Sequence, residues 1–464
     1  MKKKGQKPLR GLLAITNTRP LKTTVDRGHR IRINARDIGA SGEHWIEPFL
    51  EANRVLLKRL DVTTEVDSRH GEYYVNLIPG SRVGAVPVLS PSTRRVCFGL
   101  LIEPRFHWSG LGAVLGDIGF SVEASIGGTP LVPGSAREVP AWLLAAPVIR
   151  RIEGFMRHRR RGFIEVEEIR QSPRGRIDWP QWARTDVPTG QWASLPCRYT
   201  EPSDDPVLMA AVRWTLGRLD DQLSFYGETL TAQLLRNRIS DLRSQVGSGT
   251  TKRPSNDFRV GDNSWVKEAT QAMGWVADER GLGGSRVLDG LSWDLPIDEV
   301  WEAWVDAFIA DLAPRCGLTS IRRGNTSRRL NWSTSTSSMR MLKPDSGMRG
   351  TNHAVWIDAK YKFHLDHISS RGWYGLKEET QNAHRADLHQ ALAYASLEEA
   401  ETVDSILTYP VSANSVLPQP GIATIASGRR RVRLLLLGLP FGFRSREHRE
   451  STLSHWRELL LAMN

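Results

Sequence analysis

The sequence predicts an α/β protein, in which a C-terminal mixed sheet flanked by helices follows a mostly β N-terminal domain and a helical middle region. Short β-type runs separated by turns fill the first part of the chain, helical spacing dominates residues 205–246, and helices alternate with strands towards the end. At about 150 residues per domain, a chain of 464 residues has room for two or three domains. The ranges that we expect are 1–145, 146–290 and 291–464.

The N-terminal domain alternates β-type runs with turn signals. Runs at 73–78, 86–89 and 96–102 are separated by Pro79-Gly80-Ser81 and Ser90-Pro91-Ser92. Gly, Pro and Ser favour the backbone angles of tight turns, so they interrupt strands. We therefore predict three short strands here.

The middle region is predicted to be mostly helical. Residues 145–157 have helical periodicity, and a strand is expected at 163–168. Between residues 205 and 246, apolar residues recur at steps of three and four, so that one stripe faces a core. These positions include Leu208, Val212, Leu216 and Leu219.

The C-terminal domain alternates helices with strands, which is typical of a mixed central sheet. Its first helix is predicted at 297–312, where Trp301, Trp304 and Phe308 share one apolar face. A strand is expected to end at Asp345. The further elements are predicted strands at 354–362, 403–409, 422–427 and 432–437, and helices at 385–400 and 446–463.

The chain is basic, with a formal net charge of +12 and a pI near 9.8. Such a charge favours polyanionic partners, meaning nucleic acid or an anionic membrane. A membrane role is not expected, because no apolar run reaches the roughly 18 residues that span a bilayer. Cys97, Cys197 and Cys316 form no CxxC pair and indicate neither a zinc site nor a disulfide framework. We therefore expect a cytoplasmic protein whose partner is DNA.

Two acids and a lysine form the pattern that carries chemistry. Lys343-Pro344-Asp345 is followed, after ten residues, by Trp356-Ile357-Asp358-Ala359-Lys360. In a strand, Asp358 and Lys360 share a face because side chains alternate, and a hairpin would place Asp345 beside Asp358. Two adjacent carboxylates repel each other unless a hard cation such as Mg²⁺ neutralises them. The bare pattern is weak, and a turn followed by a surface ion pair is its alternative interpretation.

Hydrolysis of a phosphodiester is the reaction that these groups fit. Mg²⁺ makes bound water a better nucleophile, and Lys360 can orient it or stabilise charge growing on the phosphate. Two helices supply candidate neighbours, although a solvated surface is the alternative for each position. The first helix offers Glu302, with Asp298, Glu299 and Asp306 as competing acids. The later helix offers Gln390 and Tyr394, which share one face, together with Arg385 or Asp387.

Three runs carry a family resemblance: LKPD ending at Asp345, WIDAKYK at 356–362 and DLHQALAYA at 387–395. Together they resemble the PD-(D/E)XK nuclease domain of McrC-type subunits of McrBC restriction systems. Upstream stretches are similar to other parts of that family, so the resemblance covers about residues 100–450. These stretches are 101–106, 161–168, 173–177 and 195–199.

The resemblance implies a restriction-endonuclease-like fold and DNA cleavage in defence, with Mg²⁺ as the cofactor and Mn²⁺ as its substitute. It also implies an AAA+ GTPase or ATPase motor of the McrB type, contacted by the N-terminal region. The implied roles are metal binding for Asp345, Asp358 and Glu302, catalysis for Lys360, and support for Gln390 and Tyr394.

Other features have simpler interpretations. His364 and His367 are expected in a solvated loop rather than in a zinc site, because no third ligand is evident. The sequence has no GxxxxGK[ST] loop, so we expect the motor's nucleotide hydrolysis to lie in another subunit. Two other classes of function stay open: a non-catalytic adaptor that stimulates a motor, and a stand-alone DNA repair nuclease.

Overall fold

The computed structural model confirms a mixed α/β protein. By its contacts the chain divides into two compact units, one of Met1–Leu143 with Arg280–Asn464 and one of Leu144–Glu279. Among the residues that the structure describes, no helix is long and apolar enough to cross a bilayer. The described residues are 21–462 apart from 41–43, 70, 134–138, 228, 255–262, 280, 283–288, 331–340, 397 and 428–429.

The N-terminal part of the first unit packs helix α1 against strands. Phe49, Asn53 and Leu57 are buried at steps of four residues, so that one helical stripe faces the core. Phe49 and Leu57 share a cluster with Leu77 and Phe98. The three predicted strands correspond to β4, β5 and β6. The elements are β1 (Leu21–Val25), β2 (Ile31–Ile33), a 3-10 helix (Ala35–Ile38), α1 (Ile46–Arg59), β3 (Val62–Arg69), β4 (Glu72–Pro79), β5 (Arg82–Leu89), β6 (Val96–Glu103), α2 (His107–Asp117) and β7 (Ser125–Val132).

The second unit combines helices with a three-stranded antiparallel sheet. The predicted helix at 145–157 and strand at 163–168 are present as α3 and β8, and residues 205–246 form two helices. The first of these begins after Asp205, whose side chain accepts from the N–H groups of Val207 and Leu208. The elements are α3 (Ala141–His158), β8 (Gly162–Arg170), β9 (Arg176–Ile177), α4 (Trp179–Gln181), a π-helix (Trp182–Asp186), β10 (Leu195–Ser203), α5 (Pro206–Ser224), α6 (Leu230–Val246) and α7 (Ser264–Ala277).

The C-terminal part of the first unit alternates strands with helices, as predicted. The elements are β11 (Gly290–Pro296), α8 (Ile297–Arg315), β12 (Thr319–Ile321), β13 (Arg328–Arg329), β14 (Met341–Leu342), β15 (Ser346–Arg349), β16 (His353–Ala359), α9 (His364–Arg371), a 3-10 helix (Trp373–Gly375), α10 (Glu378–Ser396), β17 (Thr402–Val411), β18 (Gly421–Ser427), β19 (Arg430–Pro440) and α11 (Arg446–Leu461).

Two larger sheets organise the first unit. The first has the order β1-β6-β5-β11-β7, so its fourth strand comes from beyond the second unit in sequence. The second has the order β12-β15-β16-β17-β19-β18 and is mixed, as predicted. The predicted division of the chain at residues 145 and 290 into three domains stays a prediction.

The six-stranded sheet is parallel in its centre and antiparallel at its edges. β16, β17 and β19 are parallel neighbours, whereas β15 and β18 pair antiparallel with β16 and β19. β16 is buried from Ala354 to Ala359, as expected for a strand inside a parallel sheet. α8 contacts β15 and β16, and α10 contacts β16 and β17. The ends of β15 and β16 therefore lie near both helices.

Candidate functional site

The hairpin of β15 and β16 places Asp345 opposite Asp358. Ser346 pairs with Ile357, and the antiparallel register puts the preceding residue, Asp345, across from Asp358. The backbone N–H of Asp345 donates to the carbonyl of Ile357 at 3.1 Å. The predicted hairpin is therefore present, but the predicted end of a strand at Asp345 is wrong. Asp345 precedes β15, because Pro344 has no N–H with which pairing to β16 could start earlier.

Asp358 and Lys360 lie together at the end of β16. The strand ends at Ala359, earlier than predicted, and the N–H of Lys360 donates to the carbonyl of Thr408 at 2.8 Å. Asp358 is 3% exposed, and its Oδ2 lies 2.6 Å from Nζ of Lys360. Apart from this ion pair, Oδ2 of Asp358 has no hydrogen-bond partner among the described residues. The predicted shared face of the two side chains is present.

The electrostatics of Asp345 indicate a site short of positive charge. Burial, together with the nearby carboxylates of Asp358 and Glu302, raises the pKa of its carboxyl to about 8, although the N–H of Ala359 acts in the opposite direction. That N–H donates to Oδ2 of Asp345 at 2.8 Å. At neutral pH the pair therefore favours a shared proton or a cation over two bare carboxylates.

Glu302 is the acid of α8 that faces this pair. Burial raises its pKa most, and Asp298, Glu299 and Asp358 add to that rise, whereas Arg323 lowers it. Its Oε2 is held in an ion pair with Nη2 of Arg323. No sequence pattern indicates Arg323 at this position, because it follows the short strand β12 and reaches the site only through the fold.

The competing acids of α8 have other partners. Asp306 accepts from the hydroxyl of Ser346 at 2.8 Å, which anchors the start of β15. Asp298 accepts from the N–H of Glu299 at 3.1 Å in the first turn of the helix. Glu302 is thus the acid of this helix that is electrostatically coupled to both Asp345 and Asp358.

α10 supplies neighbours to Lys360. Nζ of Lys360 donates to Oε1 of Gln390 at 3.0 Å and lies 3.7 Å from Oδ1 of Asp387. The amide of Gln390 donates to the hydroxyl of Tyr394, which donates to the carbonyl of Lys343 at 3.3 Å. The structure therefore brings Gln390, Tyr394 and Asp387 together with the lysine.

Arg385 does not join this group. Its side chain is exposed, donates to Oδ1 of Asn382 at 3.0 Å and lies 5.5 Å from the ring of Trp373. Two residues along a helix correspond to about 200° of rotation, so Arg385 and Asp387 face different ways. Of these two residues, Asp387 is the one that the structure places beside Lys360.

The charge of Lys360 is stabilised by the acids around it. Burial lowers the pKa of Lys360 more than any other single effect, but Asp358, Asp387 and Asp345 together outweigh it and raise the pKa. Burial also raises the pKa of the Tyr394 phenol, with Asp358 adding to the rise. At neutral pH the site therefore contains a charged ammonium and a protonated phenol.

Two further side chains, those of Lys362 and His364, lie next to Asp387 and were not predicted. Nζ of Lys362 lies 2.8 Å from both carboxylate oxygens of Asp387, and Nδ1 of His364 lies 3.5 Å from Oδ2. Burial raises the pKa of Asp387 most, but hydrogen bonds from His364 and Lys362 reverse the direction and hold it low. The spacing of Lys360 and Lys362 was the one sequence signal that could have indicated this arrangement.

The histidines differ from their expected setting. His364 begins α9 and is buried, so the expected solvated loop is wrong; the chain turns directly into a helix after Phe363. The ligand atoms of His364, His384 and Asp387 lie within 4.8 Å of one another, which supplies a third group that the sequence did not reveal. The Lys362 ammonium lies 2.8 Å from the Asp387 carboxylate, so the negative charge of this cluster is already balanced without a metal ion.

Residues 290–410 match the model of a protein family described as McrBC 5-methylcytosine restriction system component. This segment is therefore similar to a component of McrBC restriction systems. The matched range contains the acids, the lysine and the α10 residues of the site, and it confirms the resemblance to McrBC systems that the motifs indicated. No curated protein matches the chain.

Two solved structures from McrBC systems are similar to the chain at low identity. A refined half-complex from a tetradecameric assembly of Thermococcus gammatolerans McrB AAA+ hexamers with bound McrC is 14% identical, with a TM-score of 0.41, and covers 94% of this chain and 100% of that chain. A cryo-EM structure of the Thermococcus gammatolerans McrBC complex is 12% identical, with a TM-score of 0.25, and covers 63% of this chain and 88% of that chain.

Proposed function

We propose that the chain is a magnesium-dependent DNA endonuclease subunit of a McrBC-type restriction system in the cytoplasm. The observation that carries this proposal is the placement of Asp345 opposite Asp358, with Nζ of Lys360 2.6 Å from Asp358. Acids on two paired strands, with a lysine two residues after the second acid, are the pattern of the PD-(D/E)XK nucleases. The McrBC family match over 290–410 supports the same assignment.

The residues present fit a hard divalent cation. The pKa of Asp345 is raised to about 8 by burial and by the carboxylates of Asp358 and Glu302, although the Lys360 ammonium lies 2.6 Å from Asp358, so the acids of the site outweigh the positive charge that this lysine supplies to them. Asp345 and Asp358, with Glu302 from α8, would hold Mg²⁺, for which Mn²⁺ is a substitute, since all three offer oxygen ligands. Such a cation lowers the pKa of water and offsets charge on the phosphate.

Lys360, positioned by Gln390, would stabilise the negative charge that grows on the phosphate group. Lys360 keeps its proton, because the acids around it raise its pKa, and so it can contact a phosphate oxygen as negative charge grows there. Its contact with Gln390, itself held by Tyr394, restricts the directions in which the ammonium can point. A fixed donor of this kind stabilises a transition state at little reorganisation cost.

The proposed partner is an AAA+ motor. The structures similar to this chain are of McrB hexamers with McrC and of a McrBC complex, and this chain has no GxxxxGK[ST] loop of its own. The net charge of +12 favours DNA as the other partner. We therefore assign nucleotide hydrolysis to the motor and phosphodiester hydrolysis to this chain.

A plasmid cleavage assay separates the candidate functions. The purified chain is incubated with supercoiled DNA and Mg²⁺, with and without the AAA+ protein encoded beside it and its nucleotide. We expect cutting that needs both the metal and the motor, and its loss in Asp358→Ala and Lys360→Ala. Cutting without the motor would favour a stand-alone nuclease. Stimulation of the motor without any cutting would favour an adaptor, and cutting by both variants would rule out the proposed centre.

A further inference from the structure

A buried polar contact outside the site joins the turn after Lys360 to the N-terminal strands of the same unit. The phenol of Tyr361 donates to Oδ2 of Asp26 at 2.7 Å, and the backbone N–H of Arg105 donates to Oδ1 of Asp26 at 2.7 Å. We propose that Asp26, Arg105 and Tyr361 form a positioning group that holds Lys360 in place for the reaction. This inference rests on the proposed nuclease function.

The strands place the first two members at one sheet end. β1 and β6 are parallel with Val25 opposite Glu103, so Asp26 and Arg105 both follow the carboxyl ends of neighbouring strands. The N–H of Asp26 continues the pairing by donating to the carbonyl of Glu103 at 3.0 Å. The turn that contains Arg105 belongs to a stretch that the sequence singled out, 101–106, and that the proposed reaction leaves without a role.

The contact is closed to water. Asp26 is 0% exposed, Tyr361 is 3% exposed and the Arg105 side chain is 6% exposed. Burial raises the pKa of Asp26 and also raises the pKa of the Tyr361 phenol well above its usual value. The phenol therefore keeps its proton and remains the donor, and the acid has few alternatives to this geometry.

The guanidinium of Arg105 is held by rings rather than by hydrogen bonds. It lies over Tyr361 at 4.1 Å and over Phe363 at 4.0 Å, and its Nε is 3.8 Å from Oδ2 of Asp26. None of its three nitrogens has a hydrogen-bond partner among the described residues. A planar cation held in this way fixes the faces of both rings, and with them the backbone on either side of Lys362.

Aromatic rings connect the residue after Arg105 to the helix that carries Glu302. Phe106 stacks on Phe441 with ring centroids 4.9 Å apart, and Phe441 stacks on Trp301 at 6.1 Å. Trp301 immediately precedes Glu302 in α8. The group is thus packed against both segments that supply residues to the site.

Tyr361 lies in the turn between Lys360 and Lys362, so its position affects both lysines. The N–H of Lys362 donates to the carbonyl of Lys360 at 2.8 Å, and the ammonium groups of both lysines point towards Asp387. Release of the Tyr361 side chain would allow this turn to rotate and would move Nζ of Lys360 away from Asp358. A purely structural contact would affect the folded fraction instead, and the two cases can be distinguished.

The test compares Tyr361→Phe and Asp26→Asn with Asp404→Asn. Asp404 is a matched control, since it is also 0% exposed and pairs with Arg433 at 2.5 Å and His353 at 2.9 Å. In a magnesium cleavage assay with the motor present, we expect Tyr361→Phe to lower kcat about tenfold or more at unchanged KM for DNA. Asp404→Asn should lower the melting temperature while kcat per folded molecule stays at the wild-type value.

A double variant shows whether the two groups act as one. If Tyr361 acts through Asp26, the kcat of the double variant should be no lower than that of the less active single variant. Multiplicative losses, or a kcat in Tyr361→Phe equal to that of the wild type, would overturn the inference. So would a fall in kcat that only follows the folded fraction.

Amide hydrogen exchange keeps the inference testable if the wild type fails to cut, a result that would overturn the proposed function by itself. The N–H of Lys360 is bonded to the carbonyl of Thr408 and should exchange slowly in the wild type. In Tyr361→Phe we expect its exchange to become about tenfold faster or more, while Asp404→Asn leaves it unchanged. Equal exchange at Lys360 in the wild type and in Tyr361→Phe would overturn the positioning role.

Discussion

The backbone N–H of Ala359 donates to Oδ2 of Asp345 at 2.8 Å. Because Ala359 lies between Asp358 and Lys360, this bond ties the acid of one strand to the end of the strand that carries the other two groups. It orients one carboxylate oxygen of Asp345 towards the backbone. The carboxylates of Asp358 and Glu302 lie near the same side chain and raise its pKa.

Asp345→Asn should stabilise the metal-free protein at alkaline pH. The raised pKa, about 8 against an ordinary 3.8, means that the folded state keeps a proton that the unfolded state loses. The contribution of Asp345 to the stability of the folded protein therefore declines as pH rises from about 4 to about 8. The uncharged amide of the Asp345→Asn variant does not titrate, so this decline is absent from the variant. We expect a gain of several kcal/mol, at most about 5, at pH 8 and none near pH 4. Thermal melts in EDTA at both values measure it, and an equal loss of stability at both would contradict it.

Binding of Mg²⁺ should release close to one proton per site at neutral pH. Asp345 is mostly protonated there because its pKa is about 8, and a cation needs its carboxylate form. Calorimetric titration in two buffers of different ionisation enthalpy gives the number of protons. The release should vanish in Asp345→Asn and at a pH well above 8. A binding heat that does not depend on the buffer at neutral pH would contradict this expectation.

Lys360→Met should lower the cleavage rate by about a hundredfold or more, since it removes the charged donor next to Asp358. Lys360→Arg should not restore the rate, because a planar guanidinium does not fit the single position between Asp358 and Gln390. Lys362→Met is the matched control, as this lysine faces Asp387 alone and should cost less. Single-turnover cleavage measures all three, and DNA binding is checked by fluorescence anisotropy. Equal losses for Lys360→Met and Lys362→Met would assign no special role to Lys360.

Glu302→Gln should raise the Mg²⁺ concentration needed for half-maximal cleavage by about tenfold, with a smaller effect at saturating metal. The carboxylate raises the pKa of Asp345 and so contributes to the negative potential that attracts a cation. Asp311→Asn is the control and should leave the requirement unchanged, because this exposed acid of the same helix pairs with Arg449. An unchanged requirement in Glu302→Gln would remove this residue from the site.

Much of the site could be predicted because strand alternation and hairpin pairing are local. Asp358 and Lys360 are two residues apart on one strand, and a hairpin brings Asp345 across from them. The position of the first strand was mispredicted, because the sequence pattern does not distinguish a strand that ends at Asp345 from one that begins after it. Only the register with Ile357 settles that.

The parts that could not be predicted depend on contacts distant in sequence. Tyr361 and Asp26 are 335 positions apart and meet through two different sheets. Arg323 and His384 likewise reach Glu302 and Asp387 through the fold and carry no local pattern. The position of Arg385 could not be predicted for a different reason, because helical spacing alone does not show which face of α10 is turned to the sheet.

The proposed nuclease is tested most directly by the Mg²⁺-dependent first-order rate at which the chain, with its AAA+ partner, cuts a supercoiled plasmid. We predict that Asp358→Asn lowers this rate by about a hundredfold or more while DNA binding is retained. The matched Asp404→Asn, a buried acid of the same sheet, should cut at the wild-type rate per folded molecule. Cleavage by Asp358→Asn at the wild-type rate would contradict the assignment of the site.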